Sequence, residues 1–160
     1  KLFISQFMRN KYLSLIFLLI LTFTASIIGS YITSIYKEPW YSTLVLPKIS
    51  PPSWVFAPVW STLYILMSVA IWKVWIKNFN KQILSLYLVH LFFNATWSII
   101  FFGFHNILLA LINLILILIL IILLMINYYK VEKISFYLMI PYLFWTLFAF
   151  ILNYSILMIN

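Results

Sequence analysis

Asn94 stands in the middle of an apolar run, with Trp97 three residues later and Phe101 seven later. Spacings of three, four and seven put side chains on one face of a helix. The same arithmetic gives two more faces. Phe56, Trp60 and Tyr64 follow one another at steps of four, as do Trp145, Ala149 and Asn153, with Tyr142 one turn before. If the three faces converge, they enclose a flat, ring-lined pocket with a few hydrogen-bonding groups. Such a pocket suits a planar hydrophobic ligand. The same rings would serve equally well as a packing core, and spacing alone does not separate the two.

Other chemistries find less support. Cysteine is absent, which removes disulfides, thiolate nucleophiles and cysteine metal sites. The only acids, Glu38 and Glu132, lie outside the apolar runs, so no buried carboxylate pair serves acid–base work or proton coupling. His90 and His105 are each without a nearby carboxylate or cysteine in sequence, and a satisfied or solvated histidine is expected rather than a metal ligand. Leu124, Tyr128 and Lys130 fit a loose sterol-contact pattern, which is common at helix ends and is matched by an ordinary interfacial tyrosine–lysine anchor.

These side chains must be positioned by membrane helices. The chain is 66% hydrophobic and 8% charged, against about 45–50% and about 25% for a soluble domain. Five runs reach the roughly 20 residues needed to cross a bilayer: 12–35, 54–76, 83–102, 106–129 and 134–158. Uninterrupted apolar stretches such as 114–126 exclude the alternation of a β-barrel. The expected fold is an all-α membrane protein, a single domain of five transmembrane helices with a long loop between the first and second. The first run exceeds a signal peptide's apolar region and lacks a clear cleavage site, so it is expected to be a retained span.

The net charge of +8 sits at the ends of the runs, a pattern of topology and lipid contact rather than of nucleic-acid binding. With five spans, Lys1, Arg9, Lys11, Lys73, Lys77, Lys81, Lys130 and Lys133 share one side, while Lys37 and Lys48 occupy the other. The positive-inside rule then puts the N-terminus in the cytoplasm and the 36–53 loop opposite. Thr22, Ser26, Ser30 and Ser34, beside Ala25 and Gly29, form a stripe of small residues for close packing within the bundle or against a second copy. Asn113, the one polar residue inside the fourth run, should face protein. Pro58 and Pro141 should open their helices locally.

Several motifs in fixed order carry a resemblance. They are Trp40-Tyr41-x-x-Leu44, Pro47, Pro51-Pro52, Trp54 and Pro58-Val59-Trp60-x-x-Leu63-Tyr64, followed by Asn94-x-x-Trp97, Phe101-Phe102 and Pro141-Tyr142-x-x-Trp145-x-x-Phe148-x-x-x-Leu152-Asn153. Over about Gly29 to Asn153 the chain resembles the translocator protein family, also called tryptophan-rich sensory proteins or peripheral benzodiazepine receptors. The resemblance implies a five-helix bundle, often dimeric, whose cavity between helices is closed by the first loop. It implies binding of porphyrins such as protoporphyrin IX and haem as ligands rather than cofactors, and sterol binding in animal members. Carried over by position, the pocket comprises Tyr41, Phe56, Trp60, Tyr64, Asn94, Trp97, Trp145 and Ala149, with Asn113 nearby. Three positions depart from the family pattern: Leu46 replaces a common lysine, Ile49 a tryptophan, and Asn113 an aspartate.

The leading expectation is a membrane receptor or carrier for tetrapyrroles. A tryptophan-dependent, light-driven breakdown of porphyrin is the enzymatic alternative. A proton- or ion-driven transporter is disfavoured by the lack of an intramembrane carboxylate. Richness in Ile, Phe, Asn, Lys and Tyr fits an A+T-rich genome, and a bacterial cytoplasmic membrane is the expected location.

Overall fold

Four of the five long apolar runs begin at a residue whose side chain satisfies free helix N–H groups, which helps set their starts. Asn10 accepts from the amides of Tyr12 and Leu13 and opens α1, Lys11–Tyr36. Asn80 caps α4, Lys81–Ser98, Asn106 caps α5, Ile107–Val131, and Glu132 caps α6, Lys133–Ile159. Between α1 and the second span the chain makes a short helix α2, Trp40–Thr43, then a 3₁₀ turn at Ser53–Val55 that leads into α3, Phe56–Lys77. The structure, a computed structural model, describes residues 10–160. The expectations for Lys1 and Arg9 lie outside them.

Five of these helices are long and apolar enough to cross a membrane. They form a ring in which α1 sits between α3 and α4, α3 lies beside α6, α6 beside α5, and α5 beside α4. The core at its centre includes Leu18, Met67, Ile71, Tyr87, Ile121, Met139 and Tyr142, all essentially inaccessible. The outward stripe of α5, including Ile112, Ile115, Ile119, Ile122 and Ile126, is exposed, as a lipid-facing surface would be. This is an all-α membrane protein.

The two prolines play different parts. Pro58 is the third residue of α3, in a first turn whose N–H groups have no intrahelical acceptor, so it starts the helix rather than interrupting it. Pro141 lies inside α6, which runs on through it. The end of α4 widens into a π turn at Ile99–Gly103, closed by Phe104 N–H donating to the Ile99 carbonyl at 2.9 Å. Such turns insert one extra residue and re-aim the side chains after it. On α1 the half of the small-residue stripe that faces the bundle brings Gly29 against α4, where a Cβ would lie 3.1 Å from Ser98 Oγ. Ser30 and Ser34, further along the stripe, are exposed.

Leu124 and Tyr128 are fully buried between helices, and of the sterol-contact triple only Lys130 is exposed. Beside Lys130, the exposed residues on this turn of the helix are Ile126 and Tyr129.

Candidate ligand-binding site

Three helices meet through polar side chains at the middle of the ring. Tyr64 of α3 donates to Asn94 Oδ1 of α4 at 2.6 Å, and Asn94 Nδ2 donates to the Tyr142 hydroxyl of α6 at 3.0 Å. The same hydroxyl meets His90 Nε2 at 2.6 Å. Asn94 is 8% exposed, and His90 and Tyr142 are inaccessible. In an apolar interior each group left unpaired would carry a desolvation cost, so the chain of bonds fixes the relative positions of all four residues. A second bond, Thr22 Oγ1 to the Tyr87 hydroxyl at 2.6 Å, ties α1 to α4 one turn away.

The tryptophans are mounted on this frame. Trp60 stacks on Tyr64 (5.7 Å between centroids, 30°) and meets Tyr142 edge-on (6.3 Å, 66°). Phe56, one turn earlier on α3, meets Trp145 of α6 edge-on at 6.0 Å. Between the same two helices runs a groove of about 520 Å³, lined by Pro58, Val59, Thr62, Leu63, Leu66, Pro141, Phe144 and Trp145. Its lining is almost wholly apolar, and Pro58 and Phe144 are exposed on the outer surface of the bundle. The indole N–H of Trp145 is buried and has no acceptor among the described residues.

Loop 1 covers the ends of α4, α5 and α6. Trp40 lies flat on His105 (4.4 Å, 17°) and edge-on to Phe101 (5.4 Å, 72°). His105 holds φ at 53°, a left-handed conformation in the tight turn before Asn106. Tyr41 packs on Phe101 and Phe102, with Lys37 Nζ 4.9 Å from its ring centroid. Burial raises the Tyr41 phenol above its ordinary value and the Glu38 charge adds to this, so it is a neutral donor. Further along, Val45 exchanges two hydrogen bonds with the Asn160 side chain, at 2.9 and 3.0 Å, which straps the loop to the end of α6. Phe101 in turn stacks under Trp97 (5.0 Å, 17°), and Trp97 donates to Asn153 Oδ1 at 3.3 Å.

The chain that folds into this five-helix ring matches the model of the TspO/MBR family over residues 16–159. The chain belongs to the TspO/MBR family. It is 36% identical over 157 residues to the tryptophan-rich protein TspO of Chlorobaculum tepidum, covering 96% of this chain and 99% of that one. It is 33% identical to the protein of the same name from Archaeoglobus fulgidus, over 82% of this chain and 87% of that one. To the human translocator protein it is 35% identical, over 73% of this chain and 72% of that one.

In this TspO/MBR chain, ring contacts and hydrogen bonds join Phe56 to Trp145, and Trp60, Tyr64 and Asn94 to one another. Ala149 is half-buried one turn beyond Trp145, packed on the main core, and Trp97 joins that core to the outer aromatic cluster. Tyr41 belongs to the outer cluster under loop 1 and not to the Trp60 face. Asn113 turns to α4, where Nδ2 donates to the Phe93 carbonyl at 2.9 Å and Oδ1 accepts from Thr96 at 3.5 Å. It clamps two helices, as its place in an apolar run implied.

Two residues outside the expected pocket are central, Tyr142 from the spaced face of α6 and His90 from none. Tyr142 and His90 hold the other half of the polar chain. A histidine inside an apolar run needs a partner, and that was a usable signal; that the partner is Tyr142, 52 residues away, was not. Leu46 and Ile49, the loop positions that depart from the family pattern, are both exposed.

Proposed function

We propose that this protein is an integral membrane receptor or carrier for planar hydrophobic ligands, chiefly porphyrins such as protoporphyrin IX and haem. The ring would lie against Trp60 and Trp145, with Phe56, Tyr64, Asn94, Trp97 and Ala149 around it and Tyr41 in the loop above. The observation that carries this reading is the Trp145 indole N–H, a buried donor without an acceptor among the described residues, on a side chain that also lines an open groove. Native interiors pair such donors almost without exception, so an unmet one beside a cavity invites a ligand's acceptor. A porphyrin offers both a flat face for stacking and carboxylate oxygens for the N–H. The groove opens on the outer face of the bundle, so an apolar ligand would enter from the bilayer rather than from water.

The names of the relatives, translocator protein and tryptophan-rich sensory protein, agree with a binding role. We place the protein in a bacterial cytoplasmic membrane with its N-terminus inside. Lys11, Lys73, Lys77, Lys81, Lys130 and Lys133 gather at one end, against Lys37 and Lys48 at the other. Exposed Ser30 and Ser34 on α1 offer a close-packing stripe for a homodimer. Titration of the detergent-purified protein with protoporphyrin IX, followed by tryptophan fluorescence, should give saturable quenching. A linear, non-saturating response would end the reading.

A further inference from the structure

A second groove lies at the opposite end of the bundle from loop 1. The helices α5 and α6 are joined by a single residue, Glu132, and a gap lies beside their terminal turns. The gap is a groove of about 350 Å³, lined by Ile126, Tyr129, Lys130 and Phe136. Its walls are apolar: Tyr129 meets Phe136 edge-on at 5.4 Å, and Ile126 and Tyr129 are each 48% exposed on the lipid-facing side. Its rim is cationic. Lys130 lines it, and Lys133 Nζ stands 5.4 Å from the Tyr129 ring centroid.

The acid at this end does not neutralise that rim. Lys77 of α3 donates to Glu132 Oε2 at 3.0 Å, and the Ile134 amide donates to Oε1 at 3.2 Å. Among the described residues Lys130 and Lys133 enter no ion pair. Two free ammonium groups thus sit over an apolar slot at the end of two membrane helices, where a bilayer's headgroups lie. A soluble anion would not use the slot, and a zwitterionic lipid would not use both charges.

We infer that this groove seats one anionic phospholipid. Its phosphate lies between Lys130 and Lys133, and the upper part of one acyl chain lies along Tyr129, Phe136 and Ile126. From Lys130 to Ile126 the helix rises about 6 Å, enough for the first few methylenes of a chain. Each lysine near an anionic headgroup is worth about fivefold in affinity, so the pair gives roughly 25-fold. This site does not depend on the tetrapyrrole reading.

The test is native mass spectrometry of the detergent-purified protein with palmitoyl-oleoyl phosphatidylglycerol or the matching phosphatidylcholine. The expected result is roughly 25-fold tighter binding of phosphatidylglycerol. The preference should disappear in the double variant Lys130→Gln/Lys133→Gln and persist in Lys81→Gln, a lysine at the same end outside the groove. Phe136→Ala should weaken both lipids alike. Equal binding of the two lipids in the wild type would overturn the proposal. So would a preference that survives the double variant, or displacement of the lipid by inorganic phosphate at matched ionic strength.

Discussion

Asn94 uses both ends of its amide, one on Tyr64 and one on Tyr142, so its loss strands the Tyr64 phenol and leaves Tyr142 with His90 alone. Asn94→Ala should cost about 1–3 kcal/mol, since hydrogen bonds inside membranes average well under 1 kcal/mol each but unmet buried groups add to the loss. Unfolding in detergent measures it. His90 holds the other side of Tyr142. His90→Gln keeps a polar atom within reach and should stay close to wild type, whereas His90→Leu should lower the unfolding midpoint and loosen Tyr142 beneath Trp60. Equal midpoints for the two would contradict this reading of the pair. The sequence exposed Asn94 and His90 as polar residues in apolar runs, a signal that the cost of burial makes dependable. It could not expose their shared partner, because Tyr142 lies 48 residues from Asn94 and is brought there by the ring of helices.

At the scale of elements, close approach and strapping do the positioning. Gly29 lets α1 rest on α4, and an added Cβ would stand 3.1 Å from Ser98 Oγ. Ser98 can yield a few tenths of an ångström to Gly29→Ala. Gly29→Leu forces the helices apart and should cost about 1–3 kcal/mol in the same unfolding assay. Loop 1 depends on Asn160 at the far end of α6. Asn160→Ala removes both bonds to Val45, and at about 1 kcal/mol the amide of Val45 should exchange roughly fivefold faster with deuterated solvent. An unchanged exchange rate would mean that ring packing alone holds the loop. The five spans were legible to within two or three residues, because length and hydropathy are set by the bilayer. The π turn at Ile99–Gly103 and the short helix at Trp40–Thr43 were not, since neither leaves a periodic signature in five or four residues. Pro58 looked like an interruption only because the start of α3 was placed at 54 rather than at Phe56.

For the whole molecule, charge and aromatic content divide the bundle into two ends with different tasks. At the lysine-rich end, Lys77 donates to Glu132 and holds its carboxyl below the ordinary value of 4.5, with the Ile134 amide assisting. A depressed carboxylate contributes stability that is present above its unfolded value and lost as pH falls through its folded value. The unfolding midpoint should therefore be level from neutral pH down to about 5 and decline below it. Lys77→Gln should flatten that decline, and a variant that declines as the wild type does would remove Lys77 from the account. At the loop end, the tryptophan faces that spacing picked out do converge, although helix periodicity by itself could not say whether they would meet. They meet as a packed wall bordering a groove. The central claim is that this wall binds a planar ring, and fluorescence titration with protoporphyrin IX across three variants tests it most directly. Stacking on a tryptophan is worth about 0.5–1.5 kcal/mol, so Trp60→Ala and Trp145→Ala should each weaken binding by up to about tenfold. Trp54→Ala, at a ring 74% exposed and not among the residues that line the groove, should leave it unchanged. If all three variants titrate like the wild type, the wall between α3 and α6 is a core and not a site.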